Sequence, residues 1–155
     1  MQNNSDANQP KNIKSDSNLC LQSVVTDHGP NPLVVDIKRA AQFNDTYRTA
    51  LWTGSWLQLT LMSIQPGDDI GLEMHPCVDQ FLHVVDGRGL VQMGESQNCF
   101  TLRVPVFNDF AIIIPAGTWH NVTNTGNTPL QLYSIYGPPN HPWGTVEKTK
   151  EDAAK

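Results

Sequence analysis

Positive charge is scarce in this chain. Of 155 residues 10 are Lys or Arg against 15 Asp or Glu, and between residues 49 and 146 only Arg88 and Arg103 stand against seven carboxylates, Asp68, Asp69, Glu73, Asp79, Asp86, Glu95 and Asp109. So acidic a body does not attract a phosphate backbone, which excludes nucleic acid as a partner. A substrate carrying several phosphates would need a metal ion or backbone amides to neutralise it. Cysteine is sparse as well. Cys20, Cys77 and Cys99 make an odd set of three without CxxC spacing, so neither a disulfide framework nor a thiolate zinc site is spelled out, and a reducing cytoplasm is the expected location. Long apolar runs are missing altogether. None approaches the roughly 20 residues of a membrane-spanning helix, and the opening MQNNSDANQPKNIKSDSN has no apolar stretch of the signal-peptide kind. Neither membrane insertion nor secretion is expected.

What the chain does carry suits short strands joined by turns. Hydrophobic residues make up 39% and charged residues 16%, with Gly 11 and Pro 11, a composition that buries a core and breaks up long helices. Its length fits one domain. Residues 1–18 hold five Asn and only Met1, Ala7 and Ile13 as apolar side chains, so they read as a disordered polar tail. The domain is expected over 19–146, with 147–155 a C-terminal tail or short helical turn announced by Thr149 and Asp152. Asp36 is placed to cap one short N-terminal helix ending near Asn44-Asp45. From Leu57 the period is near two and stops at Gln65-Pro66-Gly67-Asp68-Asp69. Further strands are expected at 70–75, 80–85, 89–93, 99–105, 110–114, 118–123 and 129–136, punctuated by turn residues. Ala111-Ile112-Ile113-Ile114 is apolar on both faces and is expected to be a central strand buried on each side.

Chemistry concentrates in two segments, Gly67-x5-Glu73-x-His75-x4-Gln80-x6-Gly87 and Pro115-x-Gly117-x2-His120-x3-Asn124. Residues i and i+2 of an extended strand share a face, so Glu73 and His75 project into one space. Gln80 and His120 each open a strand after a turn, which are natural entries to the same interior. With these residues the chain resembles the cupin superfamily, whose motifs run G-x5-HxH-x3/4-E-x6-G and G-x5-PxG-x2-H-x3-N. Gly67, His75, Gly87, Pro115, Gly117, His120 and Asn124 match in type, whereas Glu73 replaces the first His, Gln80 the Glu and Asp109 the Gly that opens the second motif. The segments LWTG (51–54), DIGLE (69–73), VDQF (78–81), PAGTWHN (115–121) and YSIYGPPNHP (133–142) are similar to a group of small single-domain bacterial cupins, which commonly carry a His where this chain has Glu147.

The resemblance implies an all-β double-stranded β-helix, a jelly-roll barrel of six to ten strands with one short N-terminal helix. It also implies one divalent metal ion held by Glu73, His75, Gln80 and His120. The swapped positions preserve the single negative charge of the usual ligand set, and two His with one carboxylate suit Fe(II) first, with Mn(II), Ni(II) and Zn(II) behind it. The alternative is a barrel that has lost its metal, with Gln80 hydrogen-bonded to Glu73 or a buried water. Tyr136, His141 and Phe107 are candidates for the substrate pocket, with Phe110, Met62 and Trp56 as further wall. Only one of Tyr133 and Tyr136 can face inward, His83 and Trp119 should face outward, and an apolar outer surface suggests a homodimer. The functional expectation is a mononuclear metal-dependent oxidoreductase, dioxygenase-like, with Glu73 as its catalytic carboxylate, acting on a small neutral or apolar oxygenated molecule. A Lewis-acid isomerase, lyase or epimerase on a sugar or hydroxy acid, and a non-catalytic small-molecule binding module, are the alternatives.

Overall fold

The computed structural model describes residues 27–153; the expected tail at 1–18 and the expected domain start at residue 19 lie outside them. One side chain sets the first element. The Asp36 carboxylate accepts a hydrogen bond from Arg39 N at 3.0 Å, so α1 (Ile37–Phe43) begins at its cap and ends at Asn44. The strands are β1 (Arg48–Thr53), β2 (Gln58–Ile64), β3 (Asp79–Asp86), β4 (Gly89–Ser96), β5 (Cys99–Val106), β6 (Ala111–Ile114), β7 (Trp119–Asn124), β8 (Leu130–Gly137) and β9 (Val146–Glu147), followed by α2 (Lys150–Ala153). They form two antiparallel sheets, β6-β3-β8-β2-β1-β9 and β5-β4-β7, whose inward side chains share one apolar core. This is the double-stranded β-helix expected from the motifs. No helix among the described residues is long and apolar enough to cross a membrane.

Two expectations are corrected, and one strand has no counterpart among them. Residues 70–75 form no regular strand: Gly71, at φ 86, turns the chain away from extended geometry, and only isolated bridges, Asp69 with Thr123 and Glu73 with His120, hold the segment beside β7. Ala111–Ile114 is not central. β6 is the free edge of the larger sheet, and Ile113, 69% exposed, points outward while Ile112 and Ile114 are buried. Finally, β1 escapes a period-two reading because Arg48 to Leu51 are buried on both faces. At the C-terminus, β9 pairs with β1 and Lys148 O accepts from Tyr47 N at 3.2 Å, so the chain stays in the sheet past residue 146.

The alternation in β2 sorts two different layers. Leu59 and Leu61 pack with Tyr133 and Leu51 beneath Ala41 of α1, outside the barrel. The inward set is Gln58, Thr60, Met62 and Ile64, which face Tyr136, Ser134, Leu132 and Leu130 of β8 across the ladder. β3 repeats the pattern with Gln80, Leu82 and Val84. The barrel interior is therefore polar at one end and apolar at the other. Leu82, Val84, Leu130, Leu132, Ile64 and Val122 are each 0% exposed and floor the polar end, and each contributes about 1.5–3 kcal/mol of burial.

Candidate metal centre

Backbone pairing brings the two motifs together. Glu73 N donates to His120 O at 3.1 Å and His120 N donates to Glu73 O at 2.9 Å, so these residues sit directly opposite one another. His75, two residues beyond Glu73, has its carbonyl tied to Gly117 N at 2.8 Å, in the turn that leads into β7. Asp109, which stands where the second motif opens, adopts φ 68 and so supplies the left-handed geometry that Gly would have given.

Glu73 Oε1 lies 3.3 Å from His75 Nε2 and 3.4 Å from His120 Nε2. Both nitrogens are buried without a hydrogen-bond partner, so these contacts are near approaches rather than well-aligned hydrogen bonds. His120 Nδ1 donates to Thr118 O at 2.9 Å, because a carbonyl only accepts, and this holds the ring with Nε2 directed at Glu73. Burial alone would raise the Glu73 carboxyl, but the two imidazoles hold it at about 2 and it is ionised. An ionised carboxylate converging with two imidazole nitrogens is a donor set that a cation between them would satisfy. Ligand atoms about 2.1 Å from a metal stand roughly 3.0–3.4 Å from one another, which the two contacts match. Among the described residues Glu73, His75 and His120 form the cluster able to hold a metal ion.

Gln80 joins the same interior. Its Nε2 donates to Ser134 Oγ at 3.0 Å, which leaves Oε1 buried and unpaired. Tyr136 is fully buried, its ring 6.0 Å edge-on from His75 and 5.1 Å from His141. Burial pushes the Tyr136 hydroxyl up, so it stays protonated. His141 is lowered to about 4 by burial and by the charges of Arg48 and His75, against the pull of Glu73. It therefore stands neutral beside Tyr136.

Phe107 lies elsewhere. It packs on Phe110 at 5.7 Å in the turn between β5 and β6, and Phe110 O accepts from Val84 N at the apolar end of the barrel. Trp56 is 83% exposed, and Met62 belongs to the apolar floor. His83 faces outward and stacks on Tyr133 at 5.1 Å, and Cys77 is exposed.

Two buried polar residues of the barrel interior were not flagged by the motifs. Gln58, 0% exposed, uses both ends of its amide: Nε2 donates to His141 O and Thr53 Oγ1, each at 2.9 Å, and Oε1 accepts from Asn140 N at 3.1 Å and His141 N at 2.9 Å. It thus pins the Gly137–Pro142 segment over the barrel mouth. Arg48 is the other, 4% exposed on the inward face of β1 opposite Met62. Both were detectable only as polar residues on the strand face that turns inward.

Neutral His141 carries a pH prediction. Its folded value near 4 lies below the ordinary 6.5, so the unfolded chain binds this proton first, and stability falls as pH drops from about 6.5 to about 4 and levels below that. The groups acting on the ring are Arg48, Glu73, His75 and Tyr136. Urea unfolding of wild type against His141→Gln is expected to show a wild-type stability loss steeper by up to about 3 kcal/mol over that window. Parallel pH curves would contradict it.

The Cupin domain family profile matches residues 60–136. The Bacillus subtilis protein YrkC is 60% identical over 138 residues, covering 89% of this chain and 72% of that protein. L612 of Acanthamoeba polyphaga mimivirus is 37% identical over 115 residues, 74% of this chain and 70% of that one. The crystal structure of BH2720 from Bacillus halodurans superposes with a TM-score of 0.83 at 63% identity, covering 84% of this chain and 98% of that one.

Proposed function

This chain belongs to the cupin family, and from that premise we propose that it is a mononuclear metal-dependent oxidoreductase, dioxygenase-like, acting on a small oxygenated molecule at the polar end of the barrel. One observation carries the reading: Glu73 Oε1 converges with the unpartnered Nε2 atoms of His75 and His120. Fe(II) suits this donor set, ahead of Mn(II), Ni(II) and Zn(II), and Gln80 Oε1 offers a weak fourth ligand. The metal, when bound, supplies a Lewis-acidic centre with open positions and, as Fe(II), reactivity towards O2.

The remaining work falls to the chain's own groups. Pairing of Glu73 with His120 fixes where the centre stands, and the floor of Leu82, Leu132 and Val122 keeps water from entering beneath it. The Tyr136 hydroxyl, protonated and unpartnered, donates to a ligand oxygen. Glu73 is the catalytic candidate of this reading, accepting a substrate proton, and Gln58 holds the segment that closes the mouth. A cytoplasmic homodimer completes the reading. The free edge of β6 with exposed Ile113 supports it, and a monomeric sedimentation coefficient at working concentration would remove the dimer.

The neutral His141 ring 5.1 Å from the Tyr136 ring favours a second reading. A base and an acid side by side suit a Lewis-acid isomerase, lyase or epimerase that shuttles a proton without redox change. Oxygen-electrode assays of Fe(II)-reconstituted protein with small oxygenated acids, ketones and phenols separate the two. The expected result is substrate-dependent O2 uptake that His120→Ala abolishes. Turnover with Zn(II) in the absence of O2 would replace the first reading by the second, and tight binding without turnover under any metal would leave a binding barrel.

A further inference from the structure

Arg48 is the one cationic side chain among the buried polar residues described, and it is only partly satisfied. Nη1 donates to Glu147 Oε2 at 2.6 Å, with side-chain exposures of 5% and 17%, while Nε is buried with no partner. A buried guanidinium with an empty donor edge is costly unless something completes it. The position is not remote from the metal centre. Arg48 faces inward opposite Met62, one step along β1 from Ala50, which opposes Thr60 of the polar layer. The guanidinium also couples electrostatically to Tyr136 and Glu73. Thr60 Oγ1 and the Tyr136 hydroxyl lie unpartnered in the same layer.

We propose that the small molecule bound at the Glu73, His75 and His120 centre is a monoanion whose carboxylate docks on the free Nε edge of Arg48, with Glu147 as the counter-ion already in place. The proposal rests on the metal-centred reading above and deepens it by naming the substrate class. Charge supports it. A divalent cation on one carboxylate leaves a single positive charge, and the Arg48–Glu147 pair adds none, so a monoanion neutralises the interior. A guanidinium edge also matches a carboxylate in shape, which an ammonium would not. An anionic molecule thereby takes the place of the neutral or apolar one expected from the sequence, and the stretch that holds only Arg88 and Arg103 begins at 49, one position after Arg48.

Isothermal titration of Mn(II)-loaded protein with acetohydroxamate, an anionic metal chelator without a carboxylate, and with a series of ω-carboxy hydroxamates that add one carboxylate to the same chelating head at increasing chain length tests the Arg48 contact. At least one carboxylated member is expected to bind about tenfold tighter than acetohydroxamate. In Arg48→Gln that advantage disappears while acetohydroxamate still binds. Arg48→Lys keeps a cation for Glu147 and guards against simple misfolding; it too is expected to lose most of the advantage with its unfolding midpoint near wild type. Glu147→Gln, which removes the competing anion, is expected to widen the advantage, an effect that a purely structural ion pair would not produce. If acetohydroxamate binds and the carboxylate adds nothing, or if the advantage survives in Arg48→Gln, the Arg48 proposal is overturned alone. If acetohydroxamate does not bind at all, the metal-centred reading fails and this proposal with it.

Discussion

Glu73→Ala is expected to bind Mn(II) or Fe(II) at least about a hundredfold more weakly than wild type, since even partners outside the ligand set cost ten- to a hundredfold in metal affinity and Glu73 is the charged member of the set. The metal-free protein should lose stability as well. Glu73 is an ionised carboxylate kept at about 2 by two imidazoles in a largely buried position, so the folded state favours its charge even without a cation, and its removal forfeits that contribution. The two effects separate cleanly in one thermal unfolding series. Wild type should gain stability with added metal, by about 4 kcal/mol at a thousandfold excess over Kd, whereas Glu73→Ala, at least a hundredfold weaker, should gain no more than about 1.4 kcal/mol at the same concentration. Equal stabilisation of both proteins would place the metal somewhere other than on Glu73.

Gln58→Ala should be among the most destabilising single changes in the barrel, by about 3 kcal/mol. The side chain is fully buried and engages Thr53, Asn140 and both the carbonyl and the amide of His141. Truncation leaves buried backbone donors without acceptors, at about 1–3 kcal/mol for each such group. The local consequence should exceed the global one. Residues 137–142 lose their anchor, so limited proteolysis should cut this segment faster in the variant, and acetohydroxamate affinity should fall as His141 leaves the mouth. A urea midpoint within about 0.5 kcal/mol of wild type would show that the glutamine does not hold the segment.

The contrast between Glu73 and Gln58 explains how far the sequence could be read. Glu73 and His75 were legible because i, i+2 spacing alone places two side chains on one face, and the Pro-x-Gly turn before His120 delivers the third member of the cluster to the same place. Their backbone context was less so: no strand runs through 70–75, and the isolated Glu73–His120 bridge does the positioning instead. Gln58 and Thr60 were hidden by their own alternation. Between Leu57, Leu59 and Leu61 they look like the solvent face of an amphipathic strand, but α1 covers Leu59 and Leu61 from outside and the polar set turns inward. Helix packing against the sheet is a tertiary fact that period two does not encode.

Other mismatches have the same kind of cause. β1 is covered on both faces, so no alternation remains to mark it. Ala111–Ile114 looked doubly buried because four apolar residues in a row suit a central strand, yet β6 ends the sheet and leaves Ile113 outside. Phe107 was a reasonable pocket wall by residue type, but its turn abuts the apolar end of the barrel through Phe110 and Val84. Tyr136 and His141 meet because β8 carries the tyrosine inward and Gln58 ties down the segment that follows.

The account stands on a metal between Glu73, His75 and His120. Elemental analysis of wild-type protein, purified without chelators or a metal-binding tag beside a Glu73→Ala, His120→Ala double variant, tests it most directly. About one equivalent of a single divalent metal in wild type and background in the variant is the predicted result. Background metal in both proteins, unchanged after incubation with Fe(II), Mn(II), Ni(II) or Zn(II), would contradict it.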